Sequence, residues 1–392
     1  MILTIPILIF FSFLTLAVEP DISLAIPKMV GISGFIVILL TVLQLSSNHS
    51  NLESYTHTQN ISKKELSAGF VLVFAVLLRL MFLFHTPTLS DDIYRYCLDG
   101  VMLINGQNPY SYKPLEILEV MQRSESINSP IAMIDLETIK NIYPAISNLL
   151  SLVNHPEFTT IYPPAAQIIF AIGSFVNSIL KITNNSIGIK IVLIIMDTLS
   201  CLFIIQILKK MKLSVCHATI YAWHPLPVLE IAASGHIDGA AIFFLIMAIY
   251  LTIYCRADGY RAAKTSWWSS SIVAQIFAGL FMGLAILIKW FPLMFLPFIL
   301  LFIKNRRTRL LMGASCIITI AIFILIFCPD IVNSFITLSQ YLQNWEFSGL
   351  LFKVVRNFTQ NYTSRSGIIT RAIILMVFAI LSSFFVSLKI AA

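Results

Sequence analysis

Ten stretches of this chain are apolar over nearly the length needed to cross a hydrocarbon layer, at about residues 2–18, 28–45, 67–86, 187–208, 216–234, 238–254, 268–288, 290–303, 309–328 and 368–390. In lipid every backbone N–H and C=O must find its partner inside the segment, so such runs fold as helices. About 20 residues reach across the core. The pattern predicts an all-α, polytopic membrane protein of about ten transmembrane helices. Composition agrees: 58% of the 392 residues are hydrophobic and 11% charged, where soluble domains carry roughly 25% charged residues. A water-solvated protein of two or three ordinary domains is excluded.

The net charge of +7 is a topology signal rather than a footprint for nucleic acid. Twelve of the 26 basic residues sit in short clusters between apolar runs: Lys63 and Lys64; Lys209, Lys210 and Lys212; Arg256, Arg261 and Lys264; Lys304, Arg306, Arg307 and Arg309. Such clusters mark cytoplasmic loops. Placing all four inside gives ten crossings with both ends of the chain in the cytoplasm. Residues 164–181 are also apolar enough to span, but a crossing there turns the Lys209–Lys212 cluster outward. They are expected to lie at the outer interface or re-enter the membrane, starting at the Pro163-Pro164 break, with a true span as the alternative. The run at 2–18 has no basic residue before it and a second run behind it, so it reads as a retained span. Six scattered cysteines show no ligand-like spacing, and neither a disulfide framework nor a zinc site is expected.

This scheme leaves a large first outer loop carrying interfacial helices, from Pro87 to about residue 187. Its stretch 87–160 holds nine of the 19 acidic residues, and loops this long are usually functional. In Ser90-Asp91-Asp92-Ile93-Tyr94-Arg95-Tyr96, Ser90 suits a helix cap, with Asp91 and Asp92 in the first turn where the helix dipole favours negative charge. Asp91, Arg95 and Asp99 form an i, i+4, i+8 ladder, and Asp92, Tyr96 and Asp99 share a face. Two readings stay open: a salt-bridged surface helix, or a carboxylate pair that supplies a general base or holds a divalent cation such as magnesium or manganese. Gly106-Gln107-Asn108-Pro109-Tyr110 is a turn with an aromatic behind it. Farther on, Pro163-Pro164 pins the backbone and aims Tyr162.

Polar side chains at membrane depth cost roughly 2.5–3.5 kcal/mol each on insertion scales, so each calls for a reason. Ser234-Gly235-His236-Ile237-Asp238-Gly239 forms an outer turn whose His236 and Asp238 are spaced to point into one pocket. Asp197 and Glu230 suit buried, hydrogen-bonded struts. Lys289 stands in an outer turn, beside Trp290 and Pro292, as an isolated cation that a lipid phosphate would accept, with snorkelling to the interface as the plainer reading.

Together these motifs, with Asn108-Pro109-Tyr110, Tyr162-Pro163-Pro164, Trp223-His224-Pro225-Leu226, Ser234-Gly235-His236-Ile237-Asp238 and Lys289-Trp290-Phe291-Pro292, resemble bacterial membrane glycosyltransferases of the GT-C class. The similarity runs from about residue 60 to 310, and more narrowly the chain is similar to the polyprenyl-phosphate-mannose-dependent mannosyltransferases and their DUF2029 relatives. It implies a GT-C-like catalytic membrane domain over 61–328 with its outer loop at 87–186, preceded by a two-span segment over 1–60 and followed by an outer loop and last span over 329–392. It also implies a site on the outer face of the cytoplasmic (inner) membrane, with a polyprenyl-phosphate sugar, mannose by resemblance, as donor and an extracytoplasmic glycan or glycolipid as acceptor. Asp92, helped by Asp91, is then the catalytic base. Lys289, His236 and Arg95 hold the donor phosphate or lipid, and Asn108, Tyr110, Tyr162 and Asp238 shape the sugar or acceptor site. The family's further spans and outer Pro-x-x-His-Pro-Trp-Tyr motif have no counterpart before Ala392, so a short or C-terminally truncated member is expected.

Two rivals come from other classes. A secondary transporter could use Asp197, Glu230 and Asp238 as a proton or substrate path, but internal repeats are not evident and the polar motifs gather in one outer loop. A lipid-carrier ligase or phosphatase would carry more outer arginines.

Overall fold

A computed structural model of the chain describes residues 4–53, 66–122, 136–182, 185–258, 271–344 and 350–359, with positions 373 and 376. Among these residues all secondary structure is helical. The first half holds α1 (Thr4–Ala17), α2 (Ile26–Glu53), α3 (Ala68–Leu80), α4 (Asp92–Ile104), α5 (Pro114–Gln122), α6 (Leu136–Leu152), α7 (Pro164–Leu180) and α8 (Asn185–Lys210). The second half holds α9 (Thr219–Ala222), α10 (Pro225–Pro227), α11 (Asp238–Asp258), α12 (Ser271–Ile288), α13 (Leu296–Phe302), α14 (Arg306–Ile326), α15 (Ile331–Asn344) and α16 (Leu350–Thr359).

Among the described residues, three helical segments are long and apolar enough to cross a membrane: Ile22–Ser47, Ser186–Lys210 and Arg306–Ile326. Five more of the expected runs form shorter apolar helices of 10–17 residues, and α7 is a sixth. The run at 368–390 lies outside the described residues apart from positions 373 and 376, as do the basic positions 63, 64, 261 and 264. The run at 216–234 differs in kind from the expected span. Pro225 and Pro227 lack the N–H that a continuous helix needs, and the segment breaks into a 3₁₀ turn, two short α turns and a π-helix at Val228–Ala233. His224 Nδ1 accepts from the Leu226 N–H at 3.1 Å and caps the restart.

α8 is the axis of the bundle. Its Ile189 and Leu193 belong to one core with α4, α6, α7, α11 and α12, while its Ile194, Cys201 and Ile205 belong to a second with α1, α2 and α3. A third core joins α11 through α14. Lipid tails are as apolar as leucine, so helices in a bilayer associate by close contact rather than by expelling water. The glycines show where that contact is made. A Cβ at Gly188 would stand 2.2 Å from the Gly173 carbonyl, and one at Gly279 would stand 2.2 Å from the Met312 carbonyl. The first contact locks α7 against α8, the second α12 against α14.

α3 and α8 run antiparallel, tied by three charged side chains. Arg79 Nε bonds Asp197 Oδ2 at 2.6 Å with both side chains fully buried, and Tyr221 donates its hydroxyl proton to the same carboxylate. Nearer the other end, Lys190 Nζ donates to the carbonyls of Phe82 (2.6 Å) and His85 (2.7 Å), where the end of α3 leaves acceptors unfilled. α7 folds back on α8, so the turn after Leu180 lies towards the same end of the bundle as His85. One face of α7 is buried against α4 and α8, and the other exposes Ile168, Ile172, Phe175 and Ile179. A helix resting at a water interface carries a polar outer face, so this apolar face suits a helix inside the bilayer, re-entrant or spanning, rather than one lying at its surface.

Candidate active site

The chemistry-bearing residues stand at helix ends: Asp92 opens α4, Tyr162 precedes α7, His236 and Asp238 sit at the start of α11, and Lys289 follows α12. Close packing of α4 on α7 brings these ends together, and Gly100 permits it: a Cβ there would lie 2.3 Å from the Phe170 carbonyl.

Asp92 is the first residue of α4, partly exposed, where the helix dipole steadies a carboxylate. The cap sits one residue later than expected. Asp91 occupies the cap position without a side-chain bond, and Ser90 Oγ instead accepts from the Asp92 N–H at 3.3 Å. Asn154 Nδ2 donates to Asp92 Oδ1 at 3.4 Å, and His236 Nδ1 lies 4.0 Å from Asp92 Oδ2. On its other side His236 Nε2 stands 3.3 Å from Glu230 Oε2, so the imidazole separates two carboxylates. Its position follows from the backbone: the π-helix carries Glu230 round to accept the His236 N–H at 2.9 Å, and Gly235 takes φ +75° between them. A Cβ at Gly235 would meet Ile93 at 2.4 Å.

Lys289 departs from its sequence reading as an isolated cation. Its Nζ bonds Asp238 Oδ2 at 2.9 Å and lies 6.0 Å from the centre of the Tyr162 ring. The partner is 51 residues away in sequence, beyond the reach of any local pattern. Behind Tyr162, the Tyr96 ring stacks on Phe170 at 4.4 Å and meets Tyr162 edge-on at 4.8 Å. Burial first, then the Asp92 charge, holds the Tyr96 phenol well above its ordinary range; burial, Tyr96 and Asp92 do the same for Tyr162. Both stay neutral.

Two hollows meet this cluster. A polar cavity of about 200 Å³ is lined by Asp92, Arg95, Asn154, Thr159, Tyr162 and, from α15, Thr337 and Tyr341. A larger cleft of about 610 Å³ is lined by Glu230, His236, Asp238 and Lys289 and continues over Ile220, Leu226, Ile242 and Phe291. Asp92 belongs to the first and His236 to the second, in ion-pair range of each other. The arrangement offers a base beside a polar cavity and a cation and imidazole beside an apolar one.

The remaining sequence-derived residues are placed differently. Arg95 lines the cavity, yet its Nε is engaged by Asp99 at 2.8 Å and its Nη1 by the Phe158 carbonyl at 3.0 Å. Asp91 is exposed and lines neither hollow. Asn108 and Tyr110 line neither as well: Asn108 donates to Asp330 at 3.0 Å, and the buried Tyr110 donates to the Tyr162 carbonyl at 2.6 Å. Tyr110 reaches the site through the Tyr162 backbone and Asn333, and Asn108 through Asp330 just ahead of α15. Asp197 is sealed against Arg79 and lines neither hollow. Among the described residues no three His, Cys, Asp or Glu side chains gather to hold a metal ion.

Sequence reasoning missed Asn154, Thr337 and Tyr341 and undervalued Glu230. The ionisable Glu230, in an apolar run just before a Gly-His turn, carried the same signal that marked His236. Asn154, Thr337 and Tyr341 carry no local signal; only tertiary packing brings them in.

No curated protein and no solved structure matches the chain. Residues 158–390 match the family described as glycosyltransferase family 87. That stretch contains Tyr162, His236, Asp238 and Lys289 and starts after Asp92. It covers more than half of the chain, and the protein therefore belongs to glycosyltransferase family 87, a family of GT-C membrane glycosyltransferases.

Proposed function

We propose that the protein moves a sugar, mannose by family resemblance, from a polyprenyl-phosphate donor to a glycan or glycolipid acceptor on the outer face of the cytoplasmic membrane. The observation that carries this reading is the position of Asp92 where the polar cavity adjoins the apolar cleft through His236. The prenyl chain lies along Leu226, Ile242 and Phe291, and the phosphate sits by Lys289 and His236. Nucleotide sugars are cytoplasmic, so an outer transferase draws its sugar from a lipid carrier. With the basic clusters inside, ten crossings put the site on that outer face.

In the transfer an acceptor hydroxyl oxygen bonds to the anomeric carbon as the bond from that carbon to the phosphate oxygen breaks. Asp92 takes the hydroxyl proton, and polyprenyl phosphate leaves with the electron pair. Direct displacement inverts the anomeric centre. Lys289 and His236 stabilise the charge that grows on the leaving phosphate, the kind of effect that is often the largest in catalysis. Tyr162 and Asp238 border the sugar, Arg95 fixes the cavity wall through Asp99, Tyr110 holds the Tyr162 backbone, and Asn108 holds Asp330 ahead of α15.

Asp92→Asn keeps the shape of the side chain and removes its basicity. Its turnover with labelled polyprenyl-phosphate-mannose is expected to fall roughly 10²–10⁴-fold, the range of general acid–base catalysis, with correct membrane insertion retained. Undiminished transfer would take the base out of the mechanism.

A further inference from the structure

α15 comes from the second outer segment and is fastened to the first outer loop. Asp330, just ahead of it, accepts from Asn108 Nδ2 at 3.0 Å and Ser111 Oγ at 2.6 Å. Asn333 Nδ2 donates to the Tyr110 carbonyl at 3.0 Å, and the Thr337 and Thr159 hydroxyls share a bond of 2.8 Å. These bonds fix the helix over Asp92. Thr337 and Tyr341 are one turn apart, share a face, and both line the polar cavity.

The chemistry of that cavity is specific. Its volume of about 200 Å³ lies under the roughly 300–1,000 Å³ of drug-sized pockets, which suits one ring. Asp92, Arg95, Asn154 and Thr337 offer hydrogen-bonding groups of both senses, and Tyr162 and Tyr341 add aromatic rings. A pyranose matches this set, with hydroxyls around its edge and C–H groups on its faces. The lining is mixed, with Phe158 and Ile161 beside these groups; an alkyl chain would leave its polar half unpaired, and a phosphate would meet the Asp92 carboxylate.

We propose that α15 closes a one-ring sugar subsite over Asp92, and that Thr337 and Tyr341 select the sugar. The role of the bound ring in transfer rests on the glycosyltransferase reading above; its binding does not. The ring is the donor's sugar or the terminal sugar of the acceptor.

The test is saturation-transfer NMR on the full chain in lipid nanodiscs, with methyl α-glycosides of mannose, glucose and galactose as probes and 1-octanol as a non-sugar control. The expected result is saturation of the ring protons of at least one glycoside, lost in Tyr341→Ala, kept in Tyr341→Phe and altered in sugar preference by Thr337→Val. No saturation of any glycoside, or equal saturation in Tyr341→Ala, overturns the subsite. Displacement of the glycoside by polyprenyl-phosphate-mannose assigns the ring to the donor, and its persistence assigns it to the acceptor; either supports the subsite. Sugar binding with transfer that ignores Asp92→Asn removes the base and leaves the subsite. Asp92-dependent transfer without sugar binding does the reverse.

Discussion

Asp238 and Lys289 hold each other at 2.9 Å on the wall of the cleft, with side chains 36% and 35% exposed. Water screens a pair so placed, and pairs of this kind contribute about 0–1 kcal/mol. On the proposed reading, a donor phosphate arriving at Lys289 competes with Asp238 at little cost. Asp238→Asn removes the competitor, and donor KM should fall by up to about fivefold, the factor that 1 kcal/mol represents; initial-rate kinetics check it. Arg79 and Asp197 are the opposite case, fully buried. Asp197→Ala strands a buried guanidinium, an error worth about 3–5 kcal/mol, and should lower the thermal unfolding midpoint sharply. The buried tyrosines set a pH limit. Because Tyr96 and Tyr162 are held above the ordinary phenol range, their contribution to stability is intact below pH about 10 and is lost as pH rises beyond it. The part of the phenolate absorbance that Tyr96→Phe removes should appear only together with unfolding, and that variant should soften the alkaline loss.

Between elements, the fit depends on glycines that no apolar pattern announces. Gly188 and Gly173 bring α7 and α8 into backbone contact. Gly188→Ala forces these helices apart, with an expected cost of about 1–3 kcal/mol from overpacking. Gly106→Ala, where a Cβ would meet nothing within 4 Å but φ is +76°, tests backbone strain alone. Comparing the unfolding midpoints of the two variants separates helix contact from turn strain. The sequence made the helical runs legible because lipid leaves the backbone no other form. It did not show that the run at 216–234 would break. Hydropathy sums side chains, whereas the break comes from two missing N–H groups at Pro225 and Pro227 and from the π-turn that follows. That break is what sets Glu230 beside His236.

At the scale of the molecule, the α7–α8 hairpin is the element on which topology turns. With the basic clusters inside, the ten-crossing scheme expects Lys181 after α7 on the outer side and Lys212 after α8 on the inner side. Single cysteines at these two positions, introduced into a chain without reactive native cysteines, should react with an impermeant maleimide from opposite sides of the membrane; labelling from one side would undo the ten-crossing scheme. The candidate site was legible in part for the same geometric reason. Asp92, His236, Asp238 and Lys289 each stood out as ionisable residues at the end of an apolar run, and the fold gathers such ends. The pairing of Lys289 with Asp238, the retirement of Asn108 and Tyr110 to a supporting position, and the arrival of Thr337 and Tyr341 from α15 all depend on contacts across long stretches of sequence. No window on the sequence spans them.

The thinness of the wall between the two hollows has a chemical use. Asp92 opens on one and His236 on the other, 4.0 Å apart, so a short tether is enough to join occupants of both. On the proposed reading, in which the cleft takes a prenyl phosphate and the cavity a sugar, a prenyl phosphonate linked to a single pyranose is expected to bind as one bisubstrate molecule. Its second half would engage at an effective concentration in the millimolar range, and an inhibitor of this chain could be assembled from two weak fragments.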